Sequence, residues 1–492
     1  MSQIEWKKFK SGTDVRAVAL DGVPGEPCQL TDEVVNGIVA AFALWVSRKA
    51  QKAADALTVA VGRDSRLSGP RIRDAVVAAL QAAGVRVLDC GLASTPAMFM
   101  TTVDLGCDAA VQITASHHPW NRNGLKFFLP TGGIEGSDLS EILALAAEDG
   151  KAPSAKGTVE QSDYMQQYAA RLRRLIIEGA DLGEQPLNGL HIVVDAGNGV
   201  GGFYATEVLQ PLGATVTGSQ FLEPDGRFPN HIPNPENAEA MASVCGAVQR
   251  VGADLGIIFD TDVDRAGCVG ADGREINRNR LVALAAAIAL EGNAGGTIVT
   301  DSVTSDGLKQ FIEQTLGGVH CRFKRGYKNV INESIRLNRE GVNSPLAIET
   351  SGHAALRDNY FLDDGAYLVT RIIIKAVQLR AQGKTLDDLI AALPEPAEGC
   401  EVRFTITEPD FRSYGERVLA DLEAYSRTQG WRVADDSREG VRVSLCDGWF
   451  LLRLSVHDPV MPLNVESNTV GGCEEILQCL LPFIEQQHGL RR

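Results

Sequence analysis

The sequence has no long hydrophobic run. Its longest apolar stretch, residues 281–290, is bounded by Arg280 and Glu291 and is shorter than the roughly 20 residues that a membrane-spanning helix needs. Residues 1–8 include Glu5, Lys7 and Lys8 and lack the apolar segment of a secretory signal. We therefore expect a cytoplasmic protein that is neither inserted into a membrane nor secreted.

Cysteine pairs with the spacing of metal ligands are also absent. The ten cysteines form no Cys-x-x-Cys pair, and the chain of 492 residues is far larger than the small modules that disulfides hold together. This pattern predicts reduced thiols rather than a disulfide framework or a zinc site.

The chain has fewer basic residues than acidic residues. The chain has 47 Lys and Arg residues against 63 Asp and Glu residues, which gives a net charge of −16. Nucleic acids and anionic membrane surfaces are bound through a basic surface, so we expect neither of them as a partner. An anionic substrate would require Lys and Arg side chains to be gathered locally, against the overall charge.

The remaining composition is that of a soluble globular protein, with 44% apolar and 22% charged residues. Because single cores stop growing at about 250–300 residues, the length predicts three or four domains. Short β-branched runs at residues 58–61, 192–195 and 297–301 each open onto a small polar loop, and a helical pattern from about residue 69 to 83 ends before Gly84. Alternating strands and helices predict an α/β fold.

One serine stands at the end of an apolar run. Ser116 follows residues 109–113, a pattern that predicts a buried strand. It precedes His117, His118 and Pro119, and the proline cannot continue a regular helix or a central strand. We therefore predict that Ser116 lies on a strand-end loop, where a rigid scaffold commonly presents catalytic groups. An ordinary polar turn is the alternative interpretation.

Three carboxylates alternate after a second apolar run. Residues 255–259 lead into Asp260, Asp262 and Asp264. Alternate side chains of an extended segment share one face, so we expect these carboxylates to converge on one point. A hard cation such as Mg²⁺ takes oxygen ligands of this kind, whereas a solvated acidic turn is the alternative. A serine together with such a cluster suggests phosphoryl transfer.

Three motifs, in this order, resemble those of the α-D-phosphohexomutases, the group of phosphoglucomutases, phosphomannomutases and phosphoglucosamine mutases. Residues 114–119 resemble the phosphoserine loop of the family, with His118 where Asn is usual. Residues 260–265 resemble the metal loop, with Thr261 and Val263 at positions that are often small. Residues 349–353 resemble the sugar-binding loop. The resemblance extends over nearly the whole chain.

The resemblance implies three similar α/β domains with mixed sheets and a smaller α+β C-terminal domain. We place them at residues 1–155 with the phosphoserine loop, 156–272 with the metal-binding loop, 273–394 with the sugar-binding loop, and 395–492 with a phosphate-binding loop. Linkers are expected at residues 150–154, near 270–273 and at 394–399, because these stretches are rich in Gly, Pro or charge.

The resemblance also implies an enzyme that interconverts hexose 1-phosphate and hexose 6-phosphate, of glucose or mannose, through phosphorylated Ser116 and a hexose bisphosphate. Its Mg²⁺ would be held by Ser116, Asp260, Asp262 and Asp264. The candidates for catalysis are Ser116, His117, Lys126 and Lys324, and those for substrate binding are Arg16, Arg265, Glu349, Ser351, Arg453 and Ser455. The enzyme is expected to be a monomer or a homodimer.

The last motif departs from the family pattern. Arg453, Ser455 and Pro459 match the phosphate-binding loop, but Val456 and His457 replace residues that help to coordinate phosphate. We expect these two replacements to affect the affinity for phosphate or the choice of substrate.

Three alternatives stay open. A phosphoglucosamine mutase would share the motifs, and a sugar-phosphate sensor could have lost turnover through the altered fourth-domain loop. The Gly-x-Gly-x-x-Gly sequence at residues 197–202, with Glu223 beyond it, also fits the dinucleotide site of an NAD-type dehydrogenase. A dehydrogenase leaves Ser116 and the carboxylates unexplained, and a turn that needs glycine is the simpler interpretation.

Overall fold

The computed structural model describes residues 4–150, 156–455 and 458–492. The chain forms two compact units. The first consists of Met1–Asn277 with Ser351–Leu386, and the second of Arg278–Thr350 with Asp387–Arg492. No helix among the described residues combines the length and the apolar content that crossing a membrane requires.

An eight-stranded mixed sheet opens the first unit. Its strands and helices are β1 (Lys10–Ser11), β2 (Asp14–Val18), α1 (Asp32–Ala50), β3 (Thr58–Arg63), α2 (Gly69–Ala82), β4 (Arg86–Leu92), α3 (Thr95–Asp104), β5 (Ala109–Ile113), β6 (Arg122–Leu129), β7 (Gly132–Gly133), α4 (Gly136–Ala147) and β8 (Val159–Gln161). The order along the sheet is β1-β2-β6-β5-β3-β4-β8, with β7 paired to β6. Strands β3, β4, β5 and β8 pair in parallel, whereas β6 pairs antiparallel with both β5 and β2.

The first sheet is buried by helices whose ends are marked in the sequence. Helix α1 begins after Thr31, whose hydroxyl accepts the backbone N–H of Val34. Helix α2 carries Pro70 in its first turn. In the core between helices and sheet, Phe42 of α1 stacks on Phe127 of β6 with ring centroids 4.3 Å apart. The packed core between the helices and the sheet therefore fixes the strand ends from which the loops begin.

A smaller sheet completes residues 156–277. Its elements are α5 (Tyr164–Ala180), β9 (Ile192–Asp195), α6 (Ala238–Val251), β10 (Leu255–Phe259), β11 (Ala266–Gly270) and β12 (Glu275–Ile276). The strand order is β12-β11-β10-β9, with β9 and β10 parallel and the others antiparallel. Residues 270–273 form the turn between β11 and β12, with the N–H of Gly273 bonded to the C=O of Gly270. Residues 270–273, near which we expect a linker, therefore form a turn within this sheet.

The second unit begins with three parallel strands. Its first elements are α7 (Asn279–Leu290), β13 (Thr297–Thr300), α8 (Asp306–Gln310), β14 (Val319–Arg322), α9 (Tyr327–Arg339) and β15 (Leu346–Ile348). Strand β13 pairs with β14 on one side and with β15 on the other. Helix α7 contains the apolar run of residues 281–290, and all of those residues are buried.

Residues 351–386 return to the first unit. They form the antiparallel strands β16 (Ala354–Leu356) and β17 (Leu362–Asp363) and then α10 (Gly365–Arg380). Helix α10 packs on α5, where the side-chain amide of Gln378 donates to the C=O of Gly179 at 2.9 Å. The buried Tyr168 hydroxyl of α5 donates to the Asp364 carboxylate at 2.7 Å, so the return segment is fixed to residues 156–277.

The C-terminal part of the second unit is an antiparallel sheet covered by two long helices. Its elements, after α11 (Leu386–Ile390), are β18 (Glu398–Ile406), α12 (Phe411–Thr428), β19 (Arg432–Val433), β20 (Val441–Leu445), β21 (Gly448–Leu452), β22 (Val460–Ser467), α13 (Gly472–Glu485) and β23 (Leu490–Arg491). The strand order is β19-β20-β21-β22-β18-β23. The fold class predicted from the sequence, three α/β domains with mixed sheets and a distinct C-terminal sheet domain, is confirmed.

Candidate active site

Ser116 lies on the loop that follows β5. Its backbone adopts a left-handed conformation with φ of 51°, which is uncommon for a residue other than glycine. The backbone N–H of Ser116 donates to Thr114 Oγ1 at 2.9 Å, and the Thr114 hydroxyl donates to Asp64 Oδ2 at 2.7 Å. This chain of hydrogen bonds fixes the turn in which the serine hydroxyl is presented.

The loop around Ser116 is wrapped over the buried guanidinium of Arg66. That guanidinium donates hydrogen bonds to four backbone carbonyl oxygens, those of Ser116, His118, Pro119 and Arg122. It also forms an ion pair with Asp64, with 3.3 Å between Nε and Oδ2. Because β3 and β5 are parallel neighbours, the loop after β3 lies beside the loop after β5 and places Arg66 beneath it.

The three carboxylates lie on a turn between β10 and β11, not on an extended segment. Val263 has a φ of 67°, a conformation that a β-branched residue rarely adopts, so the prediction of a shared strand face was wrong. The turn nevertheless brings Asp260, Asp262 and Asp264 together, with one oxygen of each within 4.8 Å of the others. All three side chains are buried.

Two side chains from the first sheet contact this carboxylate cluster. Lys126 of β6 places its Nζ 2.9 Å from Asp262 Oδ2 and 2.5 Å from Asp264 Oδ2. The Thr95 hydroxyl at the start of α3 donates to Asp262 Oδ2, and the Thr95 backbone N–H donates to the C=O of Asp262 at 2.8 Å. The carboxylate turn is thus attached to the sheet that carries Ser116.

The cluster has the properties of a cation site. Burial and the neighbouring charges of Asp264 and Asp262 raise the pKa of Asp260, which a bound cation would counteract. Oδ1 of Asp262 and Oδ1 of Asp264 are buried and accept no hydrogen bond from the described residues. Buried carboxylate oxygens without donors are suited to a hard metal ion, so these residues fit a metal.

Arg265 connects the carboxylates to the serine. Its Nε donates to Asp260 Oδ2 at 3.2 Å, its Nη2 donates to Ser116 Oγ at 3.3 Å and to His117 Nδ1 at 2.7 Å, and its Nη1 donates to Asn234 Oδ1 at 3.0 Å. The Ser116 hydroxyl donates to Asp260 Oδ2 at 3.1 Å. A group attached to Ser116 Oγ would therefore lie between a guanidinium and the carboxylate cluster.

His117 and Arg16 also lie at this loop. Desolvation of the imidazole and the adjacent Arg265 charge lower the pKa of His117, and Nδ1 accepts from that guanidinium, so the ring is neutral with its proton on Nε2. Arg16 donates to the C=O of Ala115 at 2.9 Å and is paired with Asp14 at 2.9 Å. Arg16 and His117 are thus placed beside Ser116.

The first unit also contains Ser351 and His353. The C=O of Gly352 accepts the backbone N–H of Ala266 at 3.4 Å, next to the carboxylate turn, and Ser351 is buried. Although burial opposes protonation of His353, the carboxylates of Asp363, 2.5 Å from Nδ1, and of Asp264 raise the pKa of His353 to about 9. A charged imidazole therefore stands near the cluster.

The second unit holds two of the predicted residues around the start of α9. Lys324 is exposed on the loop that follows β14. Glu349 is buried, and its Oε1 accepts the backbone N–H of Gly326 at 2.5 Å. The backbone N–H of the preceding residue, Arg325, donates to Glu439 Oε2 at 3.1 Å. The carboxylates of Glu349 and Glu439 thus fix the loop that carries the basic residues 324 and 325.

The C-terminal candidates follow β21. Burial lowers the pKa of Arg453, and its Nε is buried without a hydrogen-bond acceptor among the described residues. Ser455 Oγ accepts the backbone N–H of Asp458 at 3.3 Å. The expectation that Val456 and His457 alter phosphate binding concerns positions outside the described residues.

The glycine sequence at residues 197–202 does not form a dinucleotide site. A Cβ on Gly199 would lie 2.5 Å from the backbone oxygen of Thr261, and one on Gly202 would lie 2.2 Å from that of Leu222. These glycines allow close contact between segments of the protein backbone. The closely packed glycines give the dehydrogenase alternative no support.

Sequence reasoning missed the residues that hold the site together. Arg66 and Asp64 belong to a polar stretch directly after β3. Loops at strand ends commonly carry functional residues, so this position could have identified them as candidates. Thr95 and Asn234 offered no comparable signal, because they lie 167 and 31 positions away from the residues that they contact, Asp262 and Arg265.

Comparisons with known proteins show what the chain is similar to. Models of phosphoglucomutase/phosphomannomutase alpha/beta/alpha domains I, II and III match residues 12–152, 166–273 and 277–397. The chain is 30% identical to a phosphoglucomutase of Neisseria gonorrhoeae, with 96% of each chain covered. It is 31% identical to a phosphomannomutase/phosphoglucomutase of Pseudomonas putida, with 92% of this chain and 95% of the relative covered.

A solved structure shows the same likeness. The crystal structure of a phosphoglucomutase/phosphomannomutase family protein from Burkholderia thailandensis superposes with a TM-score of 0.80 at 29% identity, and the match covers 98% of both chains.

Proposed function

The chain belongs to the phosphoglucomutase/phosphomannomutase family, and from that premise we propose that it transfers a phosphoryl group between O1 and O6 of a hexose phosphate through phosphorylated Ser116. The observation that carries the proposal is the position of Ser116 Oγ, 3.1 Å from Asp260 Oδ2 and 3.3 Å from Arg265 Nη2. A phosphoryl group on this oxygen would meet both a guanidinium and the carboxylates that can hold a cation.

In the first half-reaction, phosphoserine 116 gives its phosphoryl group to the free hydroxyl of the hexose monophosphate. The bond between phosphorus and Ser116 Oγ breaks, a bond to the sugar oxygen forms, and the hydroxyl proton passes to a base of the protein. The product is a hexose bisphosphate. After this intermediate turns around, its other phosphoryl group returns to Ser116 Oγ, and the proton returns to the sugar oxygen that is released.

Arg265 and Arg66 have different proposed tasks. Arg265 touches Ser116 Oγ directly, so its charge compensates the negative charge that builds up on the transferred group. Arg66 donates to backbone oxygens of the loop and is paired with Asp64, so it positions the serine. His117, Lys126 and Lys324 are the proposed candidates for the proton transfers.

We propose Mg²⁺ as the metal. Asp260, Asp262 and Asp264, with an oxygen of phosphorylated Ser116, would hold it. All of these ligands are oxygens, as a hard cation prefers. When bound, the ion would neutralise the phosphoryl oxygens during transfer.

Six side chains are proposed to contact substrate. In the first unit, Arg16 and Arg265 would bind phosphate and Ser351 would hydrogen-bond the sugar. In the second unit, Glu349 would accept hydrogen bonds from sugar hydroxyls, and Arg453 and Ser455 would bind phosphate. Arg453 is half-buried, and its buried Nε has no acceptor among the described residues, as expected of a phosphate site before substrate binding.

Glucose and mannose phosphates are the proposed substrates, because the similar proteins from Neisseria and Pseudomonas are a phosphoglucomutase and a phosphomannomutase/phosphoglucomutase. Glucosamine phosphate is the alternative. We further propose that the protein acts in the cytoplasm, in keeping with ten free cysteines, as a monomer or a homodimer.

The test is turnover of glucose, mannose and glucosamine 1-phosphates side by side, each with a catalytic amount of the corresponding bisphosphate. We expect conversion of the glucose or mannose compound to the 6-phosphate, and none by the Ser116→Ala variant. Tight binding of sugar phosphate without any turnover would support the sensor alternative. Preferred turnover of glucosamine 1-phosphate would make the protein a phosphoglucosamine mutase.

A further inference from the structure

The C-terminal sheet domain brings two cysteines together. Cys446 belongs to the two-residue turn between β20 and β21, and Cys479 lies on α13. The two Sγ atoms are 4.0 Å apart, although the residues are 33 positions apart in the chain. Both thiols are partly exposed to solvent, so a small reagent in solution can reach them.

The turn and the helix that carry these cysteines pack closely. A Cβ placed on Gly448, directly after the turn, would lie 2.9 Å from the Cδ1 atom of Ile476, which is on α13 one turn before Cys479. A disulfide bond requires sulfurs about 2.0 Å apart and Cβ atoms about 3.5–4.5 Å apart. The two Sγ atoms, 4.0 Å apart, are close to van der Waals contact, so bond formation has to bring them about 2 Å nearer.

We propose that Cys446 and Cys479 form a dithiol that low-molecular-weight disulfides oxidise reversibly to an intramolecular disulfide. The Cys479 thiolate attacks one sulfur of oxidised glutathione, which forms a mixed disulfide and releases one glutathione thiolate. The Cys446 thiolate then attacks Sγ of Cys479 and releases the second glutathione. The protein loses two hydrogens, and one glutathione disulfide becomes two thiols.

The surroundings of Cys446 disfavour its thiolate. Burial, the Cys479 thiol and the charge of Glu475 raise the pKa of Cys446 to about 11, and only the thiolate is a nucleophile. Cys446 is therefore suited to the second step, in which the mixed disulfide at Cys479 holds the reacting sulfur beside it.

A second cysteine pair in the same domain provides an internal comparison. Cys400 of β18 pairs in register with Val465, and the Cys473 thiol lies 3.9 Å from the C=O of Val465. The Cys473 side chain is buried, and burial raises the pKa of Cys473 to about 11. We expect this pair to be oxidised more slowly than Cys446 and Cys479.

The experiment uses the full chain, incubated with oxidised glutathione and analysed by intact mass and peptide mapping. We expect a loss of two hydrogens, a cross-link between the peptides of Cys446 and Cys479, and full reversal by dithiothreitol. Cys446→Ser should stop at one glutathione on Cys479, because the second thiol is missing. Cys479→Ser should form neither that adduct nor the cross-link.

Three results would overturn the proposal: stable glutathione adducts on both cysteines of the unmodified sequence, a cross-link only between Cys400 and Cys473, or no reaction at Cys479 over the range of glutathione ratios that oxidises dithiols. A second readout is thermal unfolding. The cross-link restricts the unfolded chain, so the apparent Tm of the oxidised protein should exceed that of the reduced protein, and Cys446→Ser should abolish the difference.

Discussion

Ser116 combines an unfavourable backbone conformation with a specific set of contacts. Its φ of 51° costs conformational energy that the surrounding structure must compensate, and the compensation comes from Thr114, Asp64 and Arg66. The result is a hydroxyl held between Asp260 and Arg265. Strained residues held in this way are frequent at functional sites, and here the strain directs one oxygen at the charged groups.

We predict that Ser116 carries the phosphoryl group. Purified protein should contain phosphate at Ser116, and Ser116→Ala should lose both the phosphate and turnover, as measured by peptide mapping and by the coupled assay. Ser65→Ala is the matched control, because the Ser65 hydroxyl is buried nearby without a hydrogen-bond partner among the described residues. Phosphate at another residue, with an active Ser116→Ala variant, would refute the assignment.

At the carboxylate turn, Asp262→Asn should lower turnover by orders of magnitude. The substitution removes one negative charge from the proposed metal ligands and weakens Mg²⁺ binding. The measurement is turnover as a function of Mg²⁺ concentration, where the variant should need far more metal. Asp272→Asn removes the same charge from an exposed turn and should behave as the unmodified enzyme. Undiminished activity in excess chelator would exclude a metal-dependent role.

Arg66 is the third residue whose role can be tested separately. In Arg66→Lys the charge remains, but one ammonium cannot reach all four carbonyl oxygens and Asp64. Each buried carbonyl left without a donor costs about 1–3 kcal/mol. We expect a lower free energy of unfolding in urea and a lower kcat, since the serine loses its position. Arg63→Lys is the control, because within the described part of the chain the Arg63 guanidinium donates to one backbone oxygen, that of Asp64, at 3.2 Å.

A loss of stability in Arg66→Lys with unchanged kcat per folded molecule would mean that Arg66 only supports the fold. Equal effects of the Arg63 and Arg66 substitutions on stability and kcat would show that the four hydrogen bonds from Arg66 to the serine loop make no specific contribution.

At the scale of elements, the strands could be predicted and the turns could not. Strands β5, β9 and β10 have the bounds that their apolar runs predict, because burial on both faces requires a continuous apolar sequence. The left-handed conformation of Val263 contradicts the local preference of that residue and is imposed by tertiary contacts. The contact of Arg66 with the serine loop likewise depends on which strands are neighbours, which the sequence does not state.

The segment before α6 offers a prediction on pH. His231 is buried, and both of its ring nitrogens face acceptors: Nε2 is 3.0 Å from Asp195 Oδ1, and Nδ1 is 3.0 Å from the C=O of Ile232. Only the protonated imidazole can donate to both. Burial opposes the charge, but Asp195, with a smaller contribution from Glu239, raises the pKa of His231 above its ordinary value of 6.5.

A pKa that is raised on folding means that protonated His231 stabilises the folded state. This contribution is fully present below pH of about 6.5 and is lost as the pH rises through the folded pKa. In urea unfolding, the stability difference between the unmodified protein and His231→Gln should therefore be larger at pH 6 than at pH 9. His191→Gln, at an exposed hydrogen-bonded site, is the control. A difference that grows with pH would contradict the assignment of the proton.

At the scale of the whole molecule, a net charge of −16 opposes the binding of an anionic sugar phosphate, and the fold counteracts this locally. Arg16, Arg66, Lys126 and Arg265 lie at the serine loop or the carboxylate turn of the first unit. The sequence predicted that such a local group of cations must exist. It could not predict that each of the four would also contact a carboxylate of the protein itself.

Arg453, in the second unit, is the residue that we predict to bind the phosphate that is not being transferred. Burial lowers the pKa of Arg453, yet an arginine keeps its charge at all working pH values. Arg453→Ala removes a contact that is equal in the ground state and the transition state, so KM should rise strongly while kcat falls less. The measurement is a saturation curve with glucose 1-phosphate for the variant and for Arg403→Ala, whose side chain is exposed and paired with Glu401. Phosphorylation of Ser116 should persist in both variants, which separates loss of substrate binding from damage to the first unit. An Arg453→Ala enzyme with an unchanged KM would mean that the phosphate that is not being transferred is bound by other cations.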